Sequence, residues 1–549
     1  MLRATRGLTG AALAATFLLC LVFGAGDVSE PRLLAALHWL LWCAIGLGAL
    51  AAIASRTYPP GTLVLPLVLW LAVLALSALV APVHREDALT VVARPLSGAL
   101  LAWAVLAAAS TRRRWQGVCA ALALGGAGVA LLGLADLAGV VPLAALHDTS
   151  VPIADVPRLS SLLSHPNVAA SVLELTLPLL VALTFVVPRT WRPVLGMLLA
   201  AHVAALMLTF SRAGILAAAI ALFVFAGVAI RHHARRLALS LSLAALAGPV
   251  GLAIAGGALP QVERRLVAEV EQDGYRATYT APAVVAAAPE QVLDVPIRVT
   301  NASTSQWSAL DDSRVALGYH LLRTDGTPIA FDCPATLLPA DVAPYASLDM
   351  VARLRAPAVA GLYLVEWDAL REGVAWFSWR GSPTAPMDLV VEPAAPLGVQ
   401  PPTAPEVALP RPARIQYWTA ALGMLRDHPL VGVGADNFRL RFTDYSGISE
   451  SHIGTHAHSF YLESLANTGL VGFAGLAVFL LSMLRLGASK LDGPDWLWRA
   501  ALFASLVGWL VHGLLDDFER FWPAHVAYWL VIGLLVCGRG RGQRSHGAE

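Results

Sequence analysis

Four groups of residues in this 549-residue chain carry polar side chains able to do chemistry. The first, Thr209-Phe210-Ser211-Arg212-Ala213-Gly214, sets a guanidinium at the junction of two apolar runs. A planar, permanently charged fork there suits phosphate or diphosphate oxygens, and it also suits snorkelling to lipid headgroups. The second opens at Arg414. Its Trp418, Ala421, Leu422 and Leu425 recur at helical spacing, and Asp427-His428-Pro429-Leu430-Val431-Gly432-Val433-Gly434 follows. This pattern predicts an amphipathic helix along the outer surface, ended by the proline and a glycine-rich turn. The third, His456-Ala457-His458-Ser459, leads into an apolar run in which Gly469 and Gly472 stand one helical turn apart. His458 at the mouth of a span can accept a proton near neutral pH, or simply sit hydrogen-bonded at the interface. The glycine pair is expected to let a neighbouring helix approach closely. The fourth group joins Arg158 and Ser164-His165-Pro166-Asn167, with Pro166 suited to a helix start, to the late cluster Asp516, Asp517, Glu519 and Arg520. On its own, that acidic cluster reads first as a solvated loop.

The elements that must position these residues follow from composition. Hydrophobic residues make up 57% and charged residues 14%, against about 25% charged in an ordinary globular protein. This is the composition of an all-α polytopic membrane protein embedded in a lipid bilayer. Lys plus Arg is 38 and Asp plus Glu 37, a formal charge of +1, so no basic face for nucleic acid is implied. Of five cysteines only Cys333 lies outside an apolar run, which leaves no disulfide framework and no thiolate metal cluster.

A bilayer core about 30 Å thick needs about 20 apolar residues per helix. Such windows fall near 8–26, 33–54, 62–81, 89–109, 116–139, 167–187, 191–210, 213–230, 237–259, 466–486, 496–515 and 521–537, about twelve spans. Arginine placement orients them. With the N-terminus inside, the inner loops hold the Arg112-Arg113-Arg114 run, Arg189 with Arg192, and Arg231 with Arg235 and Arg236. The outer loops hold chiefly Arg32, Arg85, Arg158, Arg212 and Arg520, so all four groups face the outside. The first span also has the look of a cleavable signal peptide.

Between the ninth and tenth spans, residues 261–412 change character. A short helix is expected at Val262 to Gln272. After it come alternating runs at Val292 to Val299, Val315 to Leu322 and Gly361 to Trp367, broken by turn signals at Asp325-Gly326 and Pro339 to Asp341. They predict an antiparallel β-sandwich closed by a Pro/Ala-rich linker from Pro393 to Pro412. Asn301, Trp307, Tyr319, Pro357, Gly361, Tyr363 and Trp376-Phe377-Ser378 resemble the immunoglobulin-like accessory modules of some bacterial glycan enzymes. The chain thus divides into 1–260 with about nine helices, the 261–412 insertion, and 413–549 with about three more.

In order along the chain, Arg158 with His165-Pro166-Asn167, Ser211-Arg212-Ala213-Gly214, Arg414 ahead of Asp427-His428-Pro429-Leu430-Val431-Gly432-Val433-Gly434, and His458-Ser459-x9-Gly469-x2-Gly472 resemble the O-antigen ligase and O-antigen polymerase superfamily. The serine after the histidine is more similar to the ligase branch. Two departures stand out: the insertion before Arg414 is large, and Asn467 stands where many relatives carry an acid.

The resemblance implies a membrane-embedded glycosyltransferase of the bacterial cytoplasmic membrane, with its site facing the periplasm or cell exterior. Its donor would be an undecaprenyl-diphosphate-linked glycan, and its acceptor the lipid A core or another surface hydroxyl. His458, Arg212 and Arg414 would be catalytic. Arg158, His165, Asn167, Ser211, Ser459 and Asp516 would bind substrate. No cofactor or metal is expected: the two guanidiniums stabilise the departing diphosphate and His458 takes the acceptor proton, giving direct displacement with inversion. A repeat-unit polymerase is the close alternative. A transporter or flippase is the third class, and against it buried charges such as Arg94, Asp136 and Glu174 are few and no duplicated half is visible.

Overall fold

The computed structural model describes residues 46, 48–50, 52–54, 56–141, 158–161, 163, 165–244, 273–310, 314–372, 374–392, 412–448 and 456–537. The expected span at 8–26 with its signal-peptide reading, most of 33–54, the part of 237–259 beyond 244, the helix at 262–272 and nearly all of the linker lie outside the described residues, as does Ser164. The chain falls into two compact units. One comprises Met1–Arg264, His428–Asp436 and His458–Glu549, the other Arg265–Asp427 and Asn437–Ala457.

The first unit is helical. Its helices are α1 (Gly61–Leu79), α2 (Arg85–Ala108), α3 (Arg112–Leu137), α4 (Pro166–Val186), α5 (Arg192–Leu208) and α6 (Arg212–Arg231). Among the described residues seven helical stretches are long and apolar enough to cross a membrane: these six, with a short turn extending α5 back to Arg189, and the long helix Phe460–Ala488. Trp496–His512 and Trp522–Val536 are shorter apolar helices of 17 and 15 residues. Helix α4 is mostly apolar, and its residues from Val168 through Leu183, Glu174 among them, are buried; such a helix needs neighbours on every side. It has them in α3, α5, α6, Trp496–His512 and Trp522–Val536. Small residues permit the approach: a Cβ on Gly508 would stand 3.0 Å from Ala221 Cβ, and one on Gly533 would stand 2.8 Å from Val105 Cβ.

Among the described residues the second unit is built on ten strands in two sheets. The smaller sheet has the order β1 (Ala277–Thr280), β3 (Val292–Asn301), β7 (Ser347–Arg355). The larger runs β2 (Val284–Ala287), β10 (Ala385–Val391), β8 (Gly361–Arg371), β4 (Val315–Arg323), β5 (Pro328–Ala330), with β6 (Thr336–Leu337) beside β4 and β9 (Ala375–Trp376) beside β8. Strand β3 shows the expected period-2 burial. One core joins the sheets through Val295, Ile297, Leu317, Tyr319, Val365 and Trp367. The Tyr319 hydroxyl, from the larger sheet, accepts the Arg355 amide of the smaller one at 3.0 Å. The Asp325-Gly326 signal is a tight turn between β4 and β5, with Gly326 at φ +83° and Asp325 Oδ1 accepting from Thr327 N at 2.8 Å.

The sandwich is not wholly antiparallel. Strand β2 pairs β10 in parallel, Val284 opposite Asp388, because the chain leaves β1 in one sheet, crosses to the other and arrives along the free edge of β10 in the same direction.

Helix α7 (Arg414–Asp427) opens at Arg414 as expected and packs on α8 (Phe438–Ser446). Its buried face is Tyr417, Ala420, Ala421 and Met424, whereas Leu422 is exposed. The face is rotated from the one read off Trp418, Ala421, Leu422 and Leu425 because Tyr417 stacks on Phe442 at 4.8 Å and Gly423 admits the Tyr445 ring.

Candidate active site

Three helices of the first unit begin with the motif residues themselves. His165 caps α4, its Nδ1 accepting from Asn167 N at 3.1 Å. Ser211 caps α6, accepting from Gly214 N at 3.3 Å. Ser459 caps α9 (Phe460–Ala488), accepting from Leu462 N at 3.4 Å. Short side-chain acceptors at these positions satisfy amides that the first helical turn leaves without partners. The residues just ahead are strained: Phe210 and His458 stand at φ +49° and +46°, and Ser161, close to Arg158, at +55°. A left-handed non-glycine residue costs about 1–3 kcal/mol and gathers at functional loops.

A polar chain then runs from loop to loop. Buried Arg158 donates through Nε to Thr209 O at 2.8 Å and through Nη2 to Asn167 Oδ1 at 3.0 Å. Asn167 Nδ2 donates to Asp516 Oδ2 at 2.9 Å. Asp516 Oδ1 lies 3.6 Å from His458 Nδ1, outside hydrogen-bond range but close enough for a carboxylate to orient an imidazole. The Asp516 side chain is 4% exposed and that of His458 30%. The carboxylate is thus held from inside while the ring meets solvent. The backbone completes the link, because Phe460 N donates to Gly513 O at 2.8 Å and to Asp516 O at 3.1 Å.

The late acidic cluster is therefore no solvated loop. Asp516 and Asp517 are 3% and 7% exposed, and Phe518 between Asp517 and Glu519 is buried. Beneath it Glu174 of α4 and His512, the last residue of α10 (Trp496–His512), pair at 2.7 Å, both buried. His512 closes the space above Gly214, where a Cβ would meet its Cε1 at 3.2 Å.

Arg212 is exposed at the first position of α6, three residues from the Thr209 carbonyl that Arg158 holds. Among the described residues its side chain has no ion-pair partner. Arg414, in the second unit, is half-buried.

The glycine pair does a different task from the one its spacing suggests. Gly469 breaks α9 with φ +62°, ψ −168°, a conformation essentially reserved to glycine. What approaches there is a turn of chain and not a helix, closed by Gly432 N donating to His428 O at 3.0 Å: a Cβ on Gly469 would stand 2.4 Å from the Leu430 carbonyl carbon, and one on Gly432 2.4 Å from that of Asn467. The break frees backbone groups that the motif segment takes up. Leu470 N donates to Pro429 O at 2.8 Å, Val471 N to Leu430 O at 3.1 Å, Val433 N to Ala466 O at 3.0 Å and Gly434 N to Asn467 O at 2.9 Å. Ser77 Oγ of α1 donates to Val431 O and Asn467 O and pins the joint.

Residues 407–477 match a family model described as O-antigen ligase. The match supports membership of the O-antigen ligase superfamily. That family is of glycosyltransferase type, and the apolar helices fit a multi-pass membrane protein. The matched segment holds Arg414, the kinked joint, His458 and Ser459, while Arg158, Asn167, Arg212 and Asp516 lie outside it. No curated protein matches the chain.

Isolated motifs gave no sign that Asp517, Glu519 and Arg520 share a pocket with Arg94, Asp436 and Glu463. The available signal was the cost of placing Arg94 and Glu463 next to apolar runs at all.

Proposed function

We propose that this O-antigen ligase-family protein moves a glycan from an undecaprenyl-diphosphate carrier to an acceptor hydroxyl, lipid A core or another surface acceptor, on the outer face of the cytoplasmic membrane. The single observation that supports it most is the chain Arg158–Asn167–Asp516–His458, which presents an imidazole to solvent with a buried carboxylate behind it. In this reading Asp516 holds His458 so that Nε2 faces the acceptor. The hydroxyl oxygen attacks the anomeric carbon, its proton passes to Nε2, and the bond from carbon to phosphate oxygen breaks with its electron pair leaving on the diphosphate. The configuration inverts and no covalent enzyme intermediate forms. Arg212 and Arg414 neutralise the charge that develops on the diphosphate. Arg158 and Asn167 position Asp516, and His165, Ser211 and Ser459 fix the helix starts around them.

The test is incubation of purified protein with carrier-linked oligosaccharide, with and without an acceptor. Acceptor-dependent transfer is the expected outcome. Carrier-linked ladders growing without any acceptor would instead establish the polymerase.

A further inference from the structure

Helix α4 holds the chain that leaves α10 at two points seven positions apart, about 10 Å along one face of the helix. Near its start, Asn167 Nδ2 donates to Asp516 Oδ2 at 2.9 Å. Two turns deeper, Glu174 Oε2 and His512 Nδ1 share a hydrogen bond at 2.7 Å. The His512 carbonyl in turn accepts from Leu515 N at 2.9 Å and from Asp516 N at 3.1 Å. The backbone of Asp516 therefore hangs from the residue that Glu174 holds. The His512 ring stands edge-on to Phe518 with 4.4 Å between ring centres. On its other side, a Cβ on Gly214 would lie 3.2 Å from His512 Cε1 and 3.3 Å from Ser211 Oγ. One imidazole thus joins the side of α4, the start of α6 and the base of the loop that carries Asp516.

Glu174 and His512 are each 1% exposed. Their remaining polar atoms, Glu174 Oε1 and His512 Nε2, are buried with no hydrogen-bond partner among the described residues. A buried pair satisfied on one side only is a poor source of stability, and apolar side chains of like volume would serve as well. What such a pair does supply is register, because it has one satisfied arrangement and a slip of α10 along α4 breaks it. Register matters at this place. Asp516 Oδ1 stands 3.6 Å from His458 Nδ1, and a displacement of about 1 Å at a reacting group is enough to cost a large factor in rate.

We infer that Glu174 and His512 are positioning residues, whose buried pair fixes residues 513–516 so that the Asp516 carboxylate faces His458 Nδ1. The assignment rests on the glycan-transfer reading for the task of His458, but the state of its ring is measurable without transfer.

The experiment is the rate at which diethyl pyrocarbonate modifies His458 in the full chain in detergent at pH 8, read by peptide mass spectrometry. Imidazoles are largely neutral at that pH, and a carboxylate behind Nδ1 makes Nε2 the stronger nucleophile. Asp516→Asn is expected to slow the reaction about threefold, and Glu174→Leu by a similar factor. Adding Glu174→Leu to Asp516→Asn should slow it no further, since both act through one carboxylate. Glu174→Gln, whose amide can still bond His512, should react as wild type. In glycan transfer, Glu174→Leu should lower kcat by no more than the about hundredfold of Asp516→Asn and leave the donor KM unchanged. A His458 rate equal to or above wild type in a folded Glu174→Leu protein, an effect that adds in full to that of Asp516→Asn, or a Glu174→Gln protein as slow as Glu174→Leu would each overturn the positioning role. If Glu174→Leu fails to fold, Glu174→Met with His512→Leu, which leaves neither partner charged and unpaired, decides by the same rates. A protein that shows the expected rates yet transfers no glycan would refute the transfer reading and leave the pair's role standing.

Discussion

His458 is held by geometry that a single substitution can probe. Its carboxylate neighbour Asp516 is buried and fixed from behind by Asn167, itself held by Arg158. A general base contributes roughly 10²–10⁴-fold, so His458→Ala should slow glycan transfer by about that factor. Asp516→Asn keeps an oxygen for Asn167 but loses the charge facing the ring, and should sit near the lower end, about a hundredfold. Steady-state kinetics on purified variants of matched melting temperature checks both, and an Asp516→Asn enzyme as fast as wild type would remove Asp516 from the account. At this scale the sequence was informative about residue type and poor about partners. Arg212 and His458 stood out because charged or titratable groups at the ends of apolar runs are costly, and Arg414 because it opens an amphipathic stretch. The pairing of Asn167 with Asp516 was not legible, since 349 positions separate them and only the packing of α4 against α10 brings them together.

At the scale of elements, the joint between residues 429–434 and α9 carries the motif. Four backbone hydrogen bonds depend on the break at Gly469, whose dihedral angles an L-residue tolerates poorly. Gly469→Ala should cost at least the about 1–3 kcal/mol of backbone strain, plus the collision with the Leu430 backbone. Its mark would be a lower melting temperature and faster amide exchange at Val433, Gly434, Leu470 and Val471; unchanged exchange at all four would contradict the joint. The residue pattern singled out both segments without pairing them and expected a helix at Gly469 and Gly472, because glycines one turn apart look alike whether a helix or a turn of chain docks on them. Strands β3, β4 and β8 lie where the short runs placed them, but only β3 shows period-2 burial; β4 is buried from Val315 through Leu321 and β8 from Trp367 through Leu370. The parallel β2–β10 pair was not legible, since strand direction is set by the route of the chain between sheets and leaves no local trace.

For the molecule as a whole, apolar content was enough to read a polytopic membrane protein, and a change of composition marked the insertion that folds as two sheets around one core. The ends of the spans were less legible. Helix α9 begins at Phe460, six residues before its apolar window, because Ser459 caps it and Phe460 is tied to Gly513 and Asp516. That early start sets His458 beside Asp516 and gives the site its position. The account's central claim is that Arg212 and Arg414 stabilise a departing lipid diphosphate while His458 takes the acceptor proton. The most direct measurement is the rate of glycan transfer from a purified undecaprenyl-diphosphate donor to acceptor by Arg212→Ala, Arg414→Ala, His458→Ala and the triple variant. Each arginine replacement should cost about 3 kcal/mol, or about a hundredfold in rate, and the triple variant should be slower still; transfer by the triple variant at the wild-type rate would contradict the account.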